Sequence, residues 1–161
     1  MNKSTSQAEE PACASPQFEA SRSRRILVAE DDTSIRQSNT RALLHSGYQV
    51  VAVKDGAEGW AALHASRFDL LITDNKMPKV TGVELVKMLH STGMAMPVIM
   101  VTGAAPTEEL KRHPWVQIAA MLLKPFSVDE LLRTVKEVLR TSDGASEQFA
   151  PSSNLAEPAF C

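Results

Sequence analysis

Five short apolar runs punctuate the chain, and between them apolar residues recur at helical spacing. The runs at 26–29, 49–53, 70–74, 97–102 and 119–123 are each closed by turn residues or polar groups, which reads as strands of a parallel sheet. Asp32 or Thr33 can cap a first helix that carries Ile35, Leu43 and Leu44 on its apolar side and stops at Gly47. Asp55-Gly56 turns the chain into a second helix with Trp60, Ala61 and Leu63. Thr81 or Gly82 opens a third, with Val83, Leu85, Val86 and Leu89 inward and a stop near Gly93. A short helix follows Pro106, with Glu108 and Glu109 in its first turn, and Pro114 interrupts it. Ser127 and Glu130 have the spacing of a capping box and start a last helix with Leu131, Leu132, Val135, Val138 and Leu139, which should end near Thr141.

Strands that alternate with helices predict an α/β fold: a doubly wound five-stranded parallel sheet with five helices distributed over both faces. Residues 24–142 hold enough apolar material for one domain of about 120 residues. The flanking segments, 1–23 and 143–161, are rich in Ser, Ala, Pro and Glu without a sustained period, and read as a disordered N-terminal tail and a flexible C-terminal tail.

Composition narrows the classes. The 161 residues are 43% hydrophobic and 22% charged with a formal net charge of −2, and no Lys/Arg block occurs, so direct nucleic-acid binding is not expected. No apolar segment approaches the ~20 residues that span a bilayer, and residues 1–17 lack a hydrophobic signal core, which points away from the membrane and to a cytoplasmic protein. Cys13 and Cys161 show no metal-ligand spacing. His45, His64, His90 and His113 lack it too, and read as structural or surface residues.

The candidate chemistry lies at the strand ends. Open α/β sheets place their sites outside the carboxyl ends of the strands, and four of those ends carry polar groups: Glu30 and Asp31, Asp74, Thr102, and Lys124. Alone, Asp74 reads equally well as a cap or turn residue. Together, three carboxylates facing one ammonium repel one another, and such oxygen ligands suit a hard cation such as Mg²⁺. With the cation bound, Asp74 can attack phosphorus to form an aspartyl phosphate, whose oxygens the Thr102 hydroxyl and the Lys124 ammonium would receive. Asp32 reads as a helix cap. Trp115 reads as a partner anchor or a partly buried loop residue.

The motifs Ile-Leu-Val-Ala-Glu-Asp-Asp from Ile26, Asp-x-x-Met-Pro-x-x-x-Gly from Asp74, Val-Thr-Gly from Val101 and Lys-Pro-Phe from Lys124 occur in order and together. In this combination the chain resembles the receiver domains of response regulators in bacterial two-component signalling, over roughly 25–140. The resemblance implies the flavodoxin-like strand order 2-1-3-4-5, as in the family's chemotaxis members. It implies that Asp74 accepts a phosphoryl group from a sensor histidine kinase or histidine phosphotransfer protein. Asp31 would ligate Mg²⁺ directly, Glu30 would act through water, and Lys76 would lend a backbone carbonyl. Thr102 would be the switch hydroxyl, Lys124 the phosphate-contacting lysine, and the Lys124-Pro125 bond would be cis.

The chain also departs from the family. Met121 stands where an aromatic ring usually reports the switch, and a flexible methionine cannot do so by one ring rotation. Lys76 and Ala104 stand at positions that in the family flank the path of the hydrolytic water, and are expected to change the lifetime of the phosphoryl group. The expected protein is a signalling switch, not an enzyme in the usual sense, acting on a downstream target protein and allowing a homodimer. The alternative is a phosphorylation-independent adaptor with the same fold. A phosphatase of the aspartyl-phosphate type ranks lower, because Lys76 occupies the place of its second Asp.

Overall fold

The computed structural model describes residues 22–104 and 107–147. The expected tails fall largely outside that range. Five strands, β1 (Arg25–Ala29), β2 (Gln49–Val53), β3 (Leu70–Asp74), β4 (Val98–Thr102) and β5 (Ala120–Leu123), alternate with five helices. These are α1 (Thr33–His45), α2 (Gly56–Ala65), α3 (Gly82–Ser91), α4 (Thr107–Arg112) and α5 (Val128–Glu147). All neighbouring strands pair in parallel, in the order β2-β1-β3-β4-β5 that the resemblance implied.

The three inner strands explain the unbroken apolar runs. β3 and β4 are buried at every position and β1 at all but its first, because helices cover the sheet on both sides. Ile26, Val28, Leu70, Ile72, Ile99 and Val101 point to one face, where they meet Leu43 of α1 and Leu131, Val135, Val138 and Leu139 of α5. Leu27, Ala29, Leu71, Val98 and Met100 point to the other, against Leu63 of α2 and Val83, Leu85, Val86 and Leu89 of α3. Each aliphatic side chain fully buried in this way contributes roughly 1.5–3 kcal/mol. The two layers therefore fix the sheet rigidly, and its carboxyl edge with it.

Side chains cap four of the helices at their starts. Asp32 accepts from the Ile35 amide, as expected of it, and Asp55 accepts from the Glu58 amide. Thr81 and Glu84 form a reciprocal capping box on α3, and Ser127 and Glu130 one on α5.

Two expectations need correction. Leu44 is 52% exposed, whereas Leu43 is fully buried. Successive helical positions turn by about 100°, so only one of the pair can face inward, and the inner place one turn earlier belongs to Asn39. The last helix does not stop near Thr141 but runs to Glu147, so the first residues of the expected tail are helical. Arg24, at the foot of β1, pairs with Asp143, and Ser142 donates back to the Val138 carbonyl, contacts that give this last stretch partners of its own.

Asp55 gives the fold a pH dependence. The hydrogen bond from the Glu58 amide, and then the Lys79 ammonium, hold its carboxyl below the usual range. A carboxyl depressed by folding adds stability above its unfolded value of about 3.9, and that stability is lost as pH falls through the lower folded value. Asp55→Asn keeps a cap but not the charge. The gap in urea midpoint between wild type and variant should shrink between about pH 6 and about pH 3; a gap constant across that range would contradict the assignment.

Candidate functional site

Glu30 continues the β1 ladder, its amide donating to the Val53 carbonyl at 3.1 Å, and this keeps the residue 2% exposed at the sheet edge. Arg36, one turn into α1, reaches back and donates to the carbonyls of Glu30 (2.7 Å) and Asp31 (3.1 Å). The acidic turn is thus held by its backbone, which leaves the carboxylates free to aim elsewhere. Sequence reasoning missed Arg36, because nothing in spacing announces a guanidinium that binds main-chain oxygens.

Asp74 closes β3 and is 6% exposed. The loop after it folds back on itself: the Gly82 amide donates to the Asn75 carbonyl at 3.0 Å and the Val83 amide to Asn75 Oδ1 at 3.2 Å. In the same loop the Lys76 amide donates to Asp74 Oδ1 at 3.0 Å, and Met77 is buried in the core rather than exposed with its neighbours. Lys124 follows β5, its amide on the Thr102 carbonyl at 2.9 Å, and the Lys124-Pro125 bond is cis.

These elements bring four of the expected residues together. Lys124 Nζ donates to Asp74 Oδ2 at 2.7 Å and to Glu30 Oε2 at 3.1 Å. Glu30, Asp31 and Asp74 each present a carboxylate oxygen, and the three oxygens lie within 4.8 Å of one another. Asp31 is the exposed member and the side from which solvent enters.

The electrostatics follow from burial. Desolvation pushes the Glu30 carboxyl above the usual range; hydrogen bonds from Lys124 and the Asp32 amide oppose this, and the charge of Asp74 adds to it. Desolvation pulls Lys124 down, but its hydrogen bonds to Asp74 and Glu30 outweigh that and leave the ammonium raised. One ammonium among three carboxylates leaves the cluster with excess negative charge. That donor set, hard oxygens with one open side, fits a cation such as Mg²⁺, which takes one or two carboxylates and keeps several waters.

The other expected residues lie apart from this contact set. Thr102 is 1% exposed, and its hydroxyl donates to the Ala104 carbonyl at 2.7 Å rather than to a carboxylate. The Ala104 and Lys76 side chains are exposed, and Met121 is 37% exposed on the edge strand. The four histidines are occupied elsewhere: His45 and His64 meet backbone carbonyls of their own helices, and His90 meets the Gln117 carbonyl. His90 and His113 also stand edge-on to Trp115, which is 53% exposed. Among the described residues no helix is long and apolar enough to cross a membrane.

Comparison with known proteins agrees with this geometry. The chain is 34% identical over 129 residues to the response regulator MprA of Mycolicibacterium vanbaalenii, covering 78% of this chain and 56% of that protein. It is 34% identical over 130 residues to MprA of Mycobacterium leprae, covering 80% and 57%. The chain thus spans about half the length of the curated relatives it matches. Among solved structures, the chemotaxis response regulator CheY4 of Vibrio cholerae superposes with a TM-score of 0.67 at 33% identity, covering 72% of this chain and 98% of that one. A CheY-like receiver domain protein of Methanospirillum hungatei superposes at 0.72 with 32% identity, covering 76% and 98%. The model of the response regulator receiver domain matches residues 26–136, the stretch that builds the sheet and its acidic edge, and the chain belongs to that family.

Proposed function

We propose that the chain is a phosphoacceptor switch, in which Asp74 takes a phosphoryl group from a histidine kinase or histidine phosphotransfer protein and passes the signal on by protein contact. The observation that carries this reading is the Lys124 ammonium bridging Asp74 and Glu30 beside Asp31 at the carboxyl edge of the sheet. Asp74 Oδ forms the new bond to phosphorus while the bond from phosphorus to the donor's imidazole nitrogen breaks, and the released imidazole takes a proton from solvent.

Glu30, Asp31 and Asp74, with the Lys76 carbonyl, would hold Mg²⁺, which when bound supplies positive charge between the carboxylates and an incoming phosphoryl group. The Lys76 amide fixes Asp74 Oδ1 and so leaves the opposite oxygen to react. That oxygen is the one Lys124 holds, so the ammonium must shift from the carboxylate to the phosphoryl oxygens as the bond forms. Thr102 would leave the Ala104 carbonyl to donate to the same group, which carries about −1.5 to −2 charge at pH 7. That rotation couples the edge to the surface around β4 and β5, where Met121 replaces an aromatic reporter. On this reading the protein is cytoplasmic, not an enzyme in the usual sense, and works through a downstream protein or a second copy of itself.

Incubation with acetyl phosphate and Mg²⁺, followed by intact mass, tests the proposal. A gain of one phosphoryl group is expected, absent with a chelator and absent in Asp74→Asn. Loss of the group, followed over time, should change in Lys76→Ala and Ala104→Thr, which alter the approach of water. A folded wild type that gains nothing, and binds no beryllofluoride, would instead be the phosphorylation-independent adaptor.

A further inference from the structure

Lys79 is the one non-glycine residue with positive φ among those described, at 67°. The Val80 amide donates across it to the Pro78 carbonyl at 2.8 Å. A positive φ under an i to i+2 hydrogen bond marks the rarer, strained form of the γ-turn. A residue with a Cβ persists there only when its surroundings over-determine the conformation.

Those surroundings are visible. Lys79 Nζ donates to Asp55 Oδ2 at 2.9 Å, and Asp55, at the mouth of α2, is 2% exposed. The other oxygen, Oδ1, already accepts from the Glu58 amide at 2.8 Å, so the carboxylate is fixed before the lysine arrives. Beside the pair, a Cβ on Gly56 would lie 2.4 Å from the Val80 carbonyl oxygen, so the loop is pressed onto the start of α2 where only glycine fits.

The turn lies in the loop that leaves Asp74. The Asn75 bonds to Gly82 and Val83 close the loop at its base, and the Lys79–Asp55 pair ties its tip to α2. Lys76, between base and tip, orients the Asp74 carboxylate through its amide. We propose that Lys79 and Asp55 form a positioning latch that holds the loop after Asp74 in its strained shape and thereby sets the affinity of the acidic edge for a divalent cation. This deepens the proposed function and rests on it.

The test compares Lys79→Met, Lys79→Gly, Lys79→Arg and Asp55→Asn with wild type. Three quantities are measured: Mg²⁺ affinity by titration calorimetry, the Lys76 amide resonance without metal, and the urea midpoint. Lys79→Met should weaken Mg²⁺, by less than the roughly tenfold of a lost partner that touches a metal ligand directly, and should shift the Lys76 amide. Lys79→Arg should restore most of the affinity. Lys79→Gly separates positioning from stability when set beside Lys79→Met: both lose the ammonium that Asp55 accepts from, but only glycine relieves the positive φ, so its midpoint should lie above that of Lys79→Met while the affinity falls as far. Asp55→Asn combined with Lys79→Met should cost no more affinity than either change alone, because the two act as one pair.

Wild-type affinity and an unmoved Lys76 amide in Lys79→Met overturn the latch. A fall in affinity that tracks only the midpoint across the four variants overturns it as well. A wild type that binds no Mg²⁺ and takes no phosphoryl group overturns the proposed function instead; the metal-free amide then still decides whether the pair holds the loop.

Discussion

Lys124→Met should cost about 3 kcal/mol of stability in a chelator, and much of that cost should vanish when Mg²⁺ is added. The loss comes from what the lysine leaves behind. The side chains of Glu30 and Asp74 are 3% and 7% exposed, and Lys124 Nζ is the cation within hydrogen-bond distance of both. Removing one partner of a buried pair costs about 3–5 kcal/mol, because the remaining charge is left without compensation. The lower end applies here, since the lysine side chain is itself 23% exposed and water can reach part of the gap. Methionine keeps much of the apolar stem, so the change reports charge more than packing. On the proposed reading a divalent cation would replace the missing positive charge among the same three carboxylates, and binding to the folded state alone adds stability by mass action. The variant should therefore gain more from Mg²⁺ than the wild type does. Urea unfolding with and without Mg²⁺ reads both effects; equal gains in the two proteins would mean that Lys124 and the cation do not answer the same charge.

Much of this arrangement could be read from the chain itself, and the reason is burial. β3 and β4 are covered on both faces, so they appear as unbroken apolar runs, and a carboxylate or hydroxyl at the end of such a run stands out. Asp74 and Thr102 were legible in that way, and Lys124 by its place after the last run. The Ser127–Glu130 box was visible because both halves are local. What escaped was tertiary. Arg36 binds carbonyls, which every residue has, so its targets leave no mark in the sequence. Asp55-Gly56 reads as a turn, and nothing in the sequence singles out Lys79; their pairing joins positions 24 apart that only the packing of α2 beside α3 brings together. Leu43 and Leu44 are indistinguishable by type, and the direction of one bond decides which is core. The far end of α5 misled because Ser142-Asp143-Gly144 has the composition of a stop, while Arg24 across the fold supplies Asp143 with a partner.

Gly82→Ala should be the most damaging single methyl group that can be added to the chain near the site. A Cβ at Gly82 would lie 2.3 Å from the Asp74 carbonyl oxygen, 2.9 Å from Asn75 Cα and 3.0 Å from the Asp74 carbonyl carbon. All three are backbone atoms, so no side chain can rotate away, and they belong to the base of the loop that the Gly82 and Val83 amides close on Asn75. Overpacking costs about 1–3 kcal/mol and occasionally more; with rigid neighbours the expected loss is about 3 kcal/mol. The comparison that isolates the clash is Gly103→Ala, just after β4, where a Cβ meets nothing within 4 Å among the described residues and no positive φ is required. That variant should stay within about 0.5 kcal/mol of wild type. Gly59→Ala falls between, because its nearest contact, 3.2 Å away, is the end of the Leu85 side chain and can give. The damage should also reach function, since the displaced carbonyl is that of Asp74. Phosphoryl uptake in Gly82→Ala, measured at a temperature where the variant is still folded, should fall well below that of Gly103→Ala. If urea midpoints for the two variants coincide, the close approach of α3 to the backbone of Asp74 is not what this glycine protects.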